Sequence, residues 1–124
     1  MTRPSKFRVW DKVKKRMGEV LVLSLNDGEV IGAQIDFGDG EAVQLLGDEV
    51  ELMQFTGLHD KNGEEIYEED IIQSRHGPLG AVYWNEGIAA FAWRHGMDWG
   101  MIEIALDQIE IIGNIHENPE LIGD

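Results

Sequence analysis

The segment Gln54–Ile72, QFTGLHDKNGEEIYEEDII, places a tight turn between two apolar stretches and decides how this chain is predicted to fold. Its centre, Asp60–Gly63, is a turn sequence. An Asp side chain caps the backbone two residues on, and Asn-Gly favours the left-handed conformation that closes a type I turn with a bulge. Apolar residues stand on both sides of the turn, at Phe55, Leu58, Ile66 and Tyr67. This arrangement predicts a β-hairpin.

The turn also shares the letters Asp-x-Asn-Gly with the centre of an EF-hand calcium loop. When the two are aligned on Gly63, Leu58 falls at the first ligand position, which requires an oxygen donor. No helix is predicted on either side of the turn, as an EF-hand would need. We therefore interpret Asp60–Gly63 as a hairpin turn and not as a calcium site.

Short apolar stretches separated by glycine-containing turns continue along the rest of the chain. Glycine accounts for 15 of 124 residues, above the usual share of ~7%. The predicted strands are residues 7–10, 20–25, 30–37, 42–46, 49–55, 70–72, 81–84 and 88–93. This pattern predicts an all-β fold of short antiparallel strands, with β-hairpins in the N-terminal region. From Asp70 to Trp93 the order of strands and turns resembles a small SH3-like barrel, so a partly open barrel is predicted for the C-terminal half.

Residues 98–115 allow two interpretations. Four apolar residues lie at helical spacing, namely Ile102, Leu106, Ile109 and Ile112. The pairs Ile102/Ile104 and Ile109/Ile111 instead alternate with acidic residues, and isoleucine favours strands. We predict two strands broken near Leu106–Asp107. Asn118–Leu121 is predicted to be a terminal turn or the start of a helix, because Pro119 suits a first helical position.

Charge is divided unevenly along the chain. The first sixteen residues contain seven basic residues and one acid, Asp11, for a net charge of +6, whereas the remainder contains 3 basic and 23 acidic residues, for −20. A basic end is typical of nucleic-acid contact. However, a total charge of −14 repels a phosphate backbone at long range. We therefore expect the basic turn with Lys14, Lys15 and Arg16 to contact the acidic body of the protein or a neighbouring subunit, and nucleic acid is not the expected partner.

Several classes of protein are excluded by composition. The chain has no cysteine, which excludes disulfides, thiol catalysis and zinc sites built on thiolates. No stretch is long and apolar enough to span a membrane, and no apolar region follows the basic amino terminus as in a signal peptide. These features predict a protein without membrane contact.

No motif for catalysis or cofactor binding is found. The serines lie outside a Gly-x-Ser-x-Gly context, and neither a phosphate-binding loop nor a dinucleotide fingerprint is present. The histidines, His59, His76, His95 and His116, stand beside glycine, asparagine or charged residues and are expected to be exposed in turns. Metal binding by His95 with Asp98, or by the carboxylates of residues 36–41, stays open. Acids are too numerous for one pair to be singled out as general acid and base. We predict no enzyme activity, no cofactor and no metal.

Aromatic and methionine residues cluster between residues 83 and 101. They are Tyr83, Trp84, Phe91, Trp93, Met97, Trp99 and Met101. Such residues are enriched in protein interfaces, but they also fill the cores of small barrels. Strand alternation places Phe91 and Trp93 on one face with Ala89, which favours the core. Trp99 stands beside glycine in a predicted turn and is our candidate for an exposed interaction residue, together with Lys14, Lys15 and Arg16.

Three blocks of this sequence resemble the YopX-like family of phage and prophage proteins. They are Phe7–Asp11 with Met17, Phe55–Ile72, and Ile112–Leu121. The blocks occur in the family's order and span nearly the whole chain. One departure is Glu69, which stands where many relatives have glycine before Asp-Ile. Because glutamate resists positive φ, the family's local backbone geometry is not assured at this position.

The resemblance implies a small, mainly β, oligomeric phage protein, and it implies no biochemical activity. It also implies a location in the host cytoplasm. The length predicts a single domain over residues 1–124, with possible sub-lobes at 1–53 and 54–124. The predicted function is that of a non-enzymatic accessory protein that forms a homo-oligomer, burying part of the aromatic segment and the basic amino terminus. A host or phage protein is a further possible partner. The alternative is a nucleic-acid-related role, in which the basic arm contacts phosphate or the acidic body imitates DNA.

Overall fold

The structure is a computed structural model that describes residues 6–40, 42–75, 79–102 and 106–123. Within these residues the chain forms eleven strands: β1 (Phe7–Asp11), β2 (Arg16–Asn26), β3 (Glu29–Asp36), β4 (Ala42–Leu46), β5 (Val50–His59), β6 (Glu65–Tyr67), β7 (Asp70–Ser74), β8 (Leu79–Asn85), β9 (Ala90–His95), β10 (Asp98–Met101) and β11 (Ile109–Asn114). Single 3-10 turns lie at Gly47–Glu49, Leu106–Gln108 and Pro119–Leu121. The strands pair antiparallel, which confirms the predicted all-β fold.

Two compact units divide the chain inside β5, between Gln54 and Phe55. We call them the N-terminal unit and the C-terminal unit. The division lies close to the sub-lobes considered from the sequence, and the grouping of residues 1–124 into a single domain stays a prediction.

The N-terminal unit is a sheet with the strand order β4-β3-β2-β1-β5. Its core consists of Val9, Ala33, Ile35 and Val50, and partly buried apolar residues pack around them. The β2–β3 hairpin turns at Asp27 and Gly28, both at positive φ (51° and 81°). Two left-handed residues match the right-handed twist of the flanking strands, which explains the Asp-Gly sequence at this turn.

The C-terminal unit is built on a sheet with the order β10-β9-β8-β7-β11, and the end of β5 pairs with β6. Its core consists of Ile66, Ile72, Val82, Phe91, Ile102 and Ile109. Phe91 is buried and meets the Trp84 ring edge-on at 4.8 Å, and Trp93 packs against the same core, as predicted. Ala89 lies in the β8–β9 turn at φ 50° and not on the strand face expected for it. The sheet is open, in agreement with a partly open barrel, and its SH3-like character stays a prediction.

The ambiguous region after residue 97 contains two strands, β10 and β11, separated by a 3-10 turn at Leu106–Gln108. The predicted break near Leu106–Asp107 is therefore confirmed. Ile102 already lies in helical conformation just after β10, and Ile104 lies outside the described residues. The terminal turn at Pro119–Leu121 begins at Pro119, as its sequence predicts.

Candidate functional site

The turn of the β5–β6 hairpin is held by the carboxylate of Asp60. Its Oδ1 accepts the backbone N–H groups of Asn62 and Glu64, both at 2.9 Å. Its Oδ2 accepts the N–H of Ile111, 51 residues further along the chain, at 3.0 Å. The Asn62 bond is the local cap predicted from the sequence. The Ile111 bond joins the hairpin turn to β11.

The ionised state of Asp60 is favoured, although the residue is buried, with 6% exposure. Burial raises the pKa of the carboxyl, but the three backbone N–H donors outweigh it and hold the pKa below its ordinary value. A carboxylate that accepts several N–H bonds has its charged form stabilised. Both oxygens are thereby committed to the fold, so Asp60 is not a free group for catalysis.

Glu69 occupies the β6–β7 turn at φ 70°, in the left-handed region that glycine adopts more easily. Its backbone N–H donates to Val82 O at 2.8 Å, and its carbonyl accepts from Ile115 N at 3.0 Å. Its Oε2 lies 2.9 Å from Nε2 of His116. The glycine-like backbone geometry is thus retained by glutamate, at a position fixed by contacts on two sides.

Polar side chains also fold the chain end after β11. The Asn114 Oδ1 accepts from the backbone N–H groups of His116 and Glu117, and the Asn118 Oδ1 accepts from Asn114 N. Gly113 leaves room for Asn118, because a Cβ there would lie 2.5 Å from the Asn118 Oδ1. His116 is partly buried beside Glu69, so its predicted exposure is wrong. Sequence could not indicate a partner 47 residues away.

The basic turn between β1 and β2 is organised by Asp11, which is buried. Its Oδ1 accepts the N–H groups of Val13 and Lys14 at 3.0 and 3.1 Å, and its Oδ2 accepts from Arg16 Nε at 3.2 Å. Burial raises the pKa of this carboxyl, but the two N–H bonds and the guanidinium outweigh it and lower the pKa. The carboxylate is therefore a structural cap for the turn.

The three basic candidates from the sequence differ in their surroundings. Arg16 belongs to β2 and not to the turn, and its guanidinium lies 3.7 Å from the centroid of the Phe37 ring. Lys14 and Lys15 are exposed in the turn itself. Lys12 reaches Glu51 at 3.8 Å, so part of the basic segment meets an acid of the same unit.

Trp99 lies in β10, at the edge of the C-terminal sheet, and not in a turn. Residue 99 pairs with Arg94, and Gly100 pairs with Trp93. Gly100 lies on the core side, where a Cβ would stand 2.8 Å from Trp93 Nε1. Trp99 and Met101 therefore point to the opposite side of the sheet. Among the described strands, β10 has β9 as its sole neighbour.

Three large apolar side chains in and next to β10 are exposed to solvent. Trp99 is 51% exposed, Met101 38%, and Met97, in the turn before them, 99%. Beside Trp99, the Arg94 guanidinium lies 4.6 Å from the centroid of the Tyr83 ring. We call Met97, Trp99 and Met101 the β10 surface. The unpaired backbone N–H and C=O groups of an edge strand can form hydrogen bonds with another strand.

A polar cleft of about 330 Å³ opens elsewhere in the C-terminal unit. Its lining residues are Lys61, Gln73, Ser74, Arg75, Gln108 and Glu110. They come from three distant segments, and none was singled out from the sequence. The available signal was the scarcity of basic residues: after Arg16 there are three, and two of them line this cleft.

Metal-binding geometry is not found in the described ranges, where no three His, Asp or Glu side chains are grouped. His95 and Asp98 do face one another across β9 and β10. Glu41, from the acidic turn considered as a cation site, and His76 lie outside the described residues. Of the helices that the structure describes, none is long and apolar enough to cross a membrane.

Comparison with known proteins identifies relatives over the full described length. The chain is similar to protein EF1440 from Enterococcus faecalis, known from a crystal structure, with 30% identity and a TM-score of 0.71 over 98% of this chain and 99% of that one. It also shares its fold with the crystal structure of protein YopX from Bacillus subtilis, at 19% identity and a TM-score of 0.62, over 99% and 98% of the two chains. No curated protein matches it.

The sequence itself matches the protein family described as "YopX protein" over residues 6–123. That range contains all three sequence blocks and both compact units. The chain belongs to the YopX family.

Proposed function

We propose that the chain is a non-enzymatic protein-interaction module that assembles with copies of itself through the β10 surface. The observation that carries this proposal is an edge strand, β10, with exposed Trp99 and Met101 in it and exposed Met97 just before it. Tryptophan and methionine are enriched in interfaces, and isolated monomers rarely leave such groups together in water. We expect the partner to be a second copy of the chain, because two identical edge strands can pair with each other.

The exposure of these residues is not a requirement of the fold. The inner face of the same sheet already has a complete core around Phe91, against which Trp93 packs. β10 contains neither proline nor lysine, residues by which edge strands commonly avoid pairing. Asp98 is its single charge. An unprotected edge with large apolar side chains supports assembly.

A non-enzymatic role is supported by the use of the buried acids. The buried carboxylates of Asp11, Asp60 and Asp70 each accept at least one backbone N–H group, so none of the three is available as a general base. A role in a phage or prophage, in the host cytoplasm, is part of the same proposal and derives from the family. Binding of a host or phage protein would use the same surface.

Light scattering after size exclusion tests the assembly. We expect a defined oligomer for the wild type and a smaller species for Trp99→Asp, which places a charge at the centre of the β10 surface. Val13→Ser is the matched control, because Val13 is also exposed but lies in the turn between β1 and β2. Circular dichroism checks that both variants fold. The proposal would be refuted if the wild type were monomeric and also bound no host or phage protein. It would also be refuted if Trp99→Asp had the same mass in solution as the wild type.

The nucleic-acid alternative rests on the exposed Lys14 and Lys15. Two cations on one turn make few phosphate contacts, and Arg16 is already engaged by Asp11. Gel shifts with duplex and single-stranded DNA at low salt test direct contact, and competition with DNA-binding host proteins tests mimicry. Binding that is lost in a Lys14→Ala, Lys15→Ala double variant would favour this alternative over protein assembly.

A further inference from the structure

The polar cleft has no part in the proposed assembly and carries an inference beyond it. Its volume of about 330 Å³ lies near the lower end of small-molecule sites, ~300–1,000 Å³. Its six lining residues are all polar or charged, so a ligand of this cleft must be hydrophilic.

Positive charge is concentrated in this cleft against the composition of the chain. After Arg16 the sequence contains 23 acids but three basic residues, Lys61, Arg75 and Arg94. Lys61 and Arg75 line the cleft, whereas Arg94 stacks on Tyr83. One acid, Glu110, lines it with them. The cleft is thus locally positive on a strongly acidic chain, which favours an anion as its ligand.

The cleft is assembled on backbone that hydrogen bonds hold in place. The N–H of Lys61 donates to Ile109 O at 2.9 Å, and the N–H of Arg75 donates to Gln108 O at 3.0 Å. Ser74 pairs with Ile109 across β7 and β11. The side chains that line the cleft therefore extend from backbone positions that hydrogen bonds fix.

The donors suit a tetrahedral anion. A guanidinium offers several N–H groups in a planar fork that matches phosphate oxygens, and ammonium, hydroxyl and amide groups can satisfy the remaining oxygens from other directions. Arg75 forms no hydrogen bond or ion pair through its side chain with another described residue. Lys61 Nζ lies 3.3 Å from Glu110 Oε1, but both side chains are about half exposed, so this ion pair is weak and exchangeable.

We propose that this cleft binds a small phosphate-bearing ligand, with Arg75 and Lys61 as the charged contacts and Ser74, Gln73 and Gln108 as additional donors. Glu110 opposes binding, since its carboxylate competes with the ligand for Lys61. The cleft therefore selects its ligand by charge and shape and needs no apolar contact with it.

Titration of the full chain with inorganic phosphate and with pyrophosphate tests the site, with backbone amide chemical shifts at low salt as the readout. We expect saturable shifts centred on Arg75 and Gln108. Arg75→Ala should weaken binding about tenfold or more, through the loss of a charge-assisted contact. Glu110→Gln should tighten it about threefold, because Lys61 is released from a weak pair. Lys14→Ala makes the same charge change outside the C-terminal unit and should have no effect.

The opposite signs for Arg75→Ala and Glu110→Gln separate a true site from a change in folding. The proposal would be overturned if Arg75→Ala bound phosphate as tightly as the wild type, or if Glu110→Gln bound it more weakly. It would also be overturned if Lys14→Ala lost as much affinity as Arg75→Ala. Citrate binding as tightly as pyrophosphate would assign the cleft to carboxylates and overturn the phosphate ligand. The absence of saturable shifts with both phosphates would overturn the site itself.

Discussion

Replacing Asp60 with asparagine tests how the turn of the β5–β6 hairpin is joined to β11. Asparagine has nearly the same shape as aspartate, so the substitution creates no cavity. It exchanges one carboxylate oxygen for an NH₂ group, which can donate but not accept. The three backbone N–H groups around residue 60 then face a side chain with a single acceptor oxygen.

The cost follows from the two possible orientations of the amide. With its oxygen at the position of Oδ1, the bonds from Asn62 and Glu64 remain, and the NH₂ group opposes the N–H of Ile111. With the amide reversed, two N–H groups are opposed in place of one, which is worse. The better orientation still loses one bond to a charged acceptor and leaves a partly buried N–H unpaired, a cost of about 2 kcal/mol. This is a large share of the ~5–15 kcal/mol that stabilises a typical small protein.

The pH dependence gives a second, independent expectation. Because the folded state lowers the pKa of Asp60, its carboxylate stabilises the fold fully above the unfolded value of about 3.9. That contribution is lost as the pH falls through the lower folded pKa. Asp11 behaves in the same way in the N-terminal unit. We therefore expect acid to destabilise the wild type below pH ~4, and Asp60→Asn to show a shallower loss.

Urea unfolding at a series of pH values from neutral to strongly acidic measures both effects, followed by Trp fluorescence. Asp107→Asn is the matched control, because Asp107 is exposed in the 3-10 turn before β11 and the chemical change is identical. It should leave the free energy of unfolding within about 0.5 kcal/mol of the wild type. If Asp60→Asn were equally mild at pH 7, or kept the full acid sensitivity of the wild type, the assignment of Asp60 as the structural clamp would be refuted.

Substitutions at three further positions test other contacts by urea unfolding. Glu69→Gly should be about 1 kcal/mol more stable than Glu69→Ala, because both lose the contact with His116 but glycine relieves the left-handed strain; equal stabilities would contradict the strain. Gly113→Ala should cost about 1–3 kcal/mol by displacing Asn118, and a neutral result would contradict that close approach. Arg16→Ala should cost about 1–2 kcal/mol through loss of its contact with Asp11, with Arg16→Lys intermediate; a smaller effect for alanine than for lysine would contradict the pairing.

Local chemistry made much of this fold predictable. The turn at Asp60–Gly63 follows from side-chain caps and left-handed residues within a few positions of one another, and it forms as expected. The break at Leu106–Asp107 was also predictable, since isoleucines alternate with acids on both sides. In each instance the deciding interactions lie close together in the sequence.

Interactions across long sequence separations were not predictable. The Asp60 bond to Ile111 spans 51 residues and the His116 contact with Glu69 spans 47. A sequence shows that such groups are polar but not which groups they meet. The same limit hid the cleft, whose cations Lys61 and Arg75 are brought together by backbone hydrogen bonds to Ile109 and Gln108. The glycine next to Trp99 predicts that this residue is exposed, and it is. However, Trp99 lies in strand β10 and not in the predicted turn.

The contacts also indicate where function is to be sought in this family member. Asp60, Glu69 and Asn114 belong to the sequence blocks that resemble the family. The side chains of Asp60 and Asn114 accept backbone N–H groups of the C-terminal unit, and the Glu69 side chain contacts the His116 ring. Because their hydrogen-bonding capacity is used by the fold, these residues contribute to the architecture of the C-terminal unit. Lys61 is the exception, since its backbone is fixed beside Asp60 while its side chain reaches the cleft. A phosphate-bearing ligand would therefore bind where the family's structural turn ends, and loosening Asp60 should weaken that binding without any change in a contacting side chain.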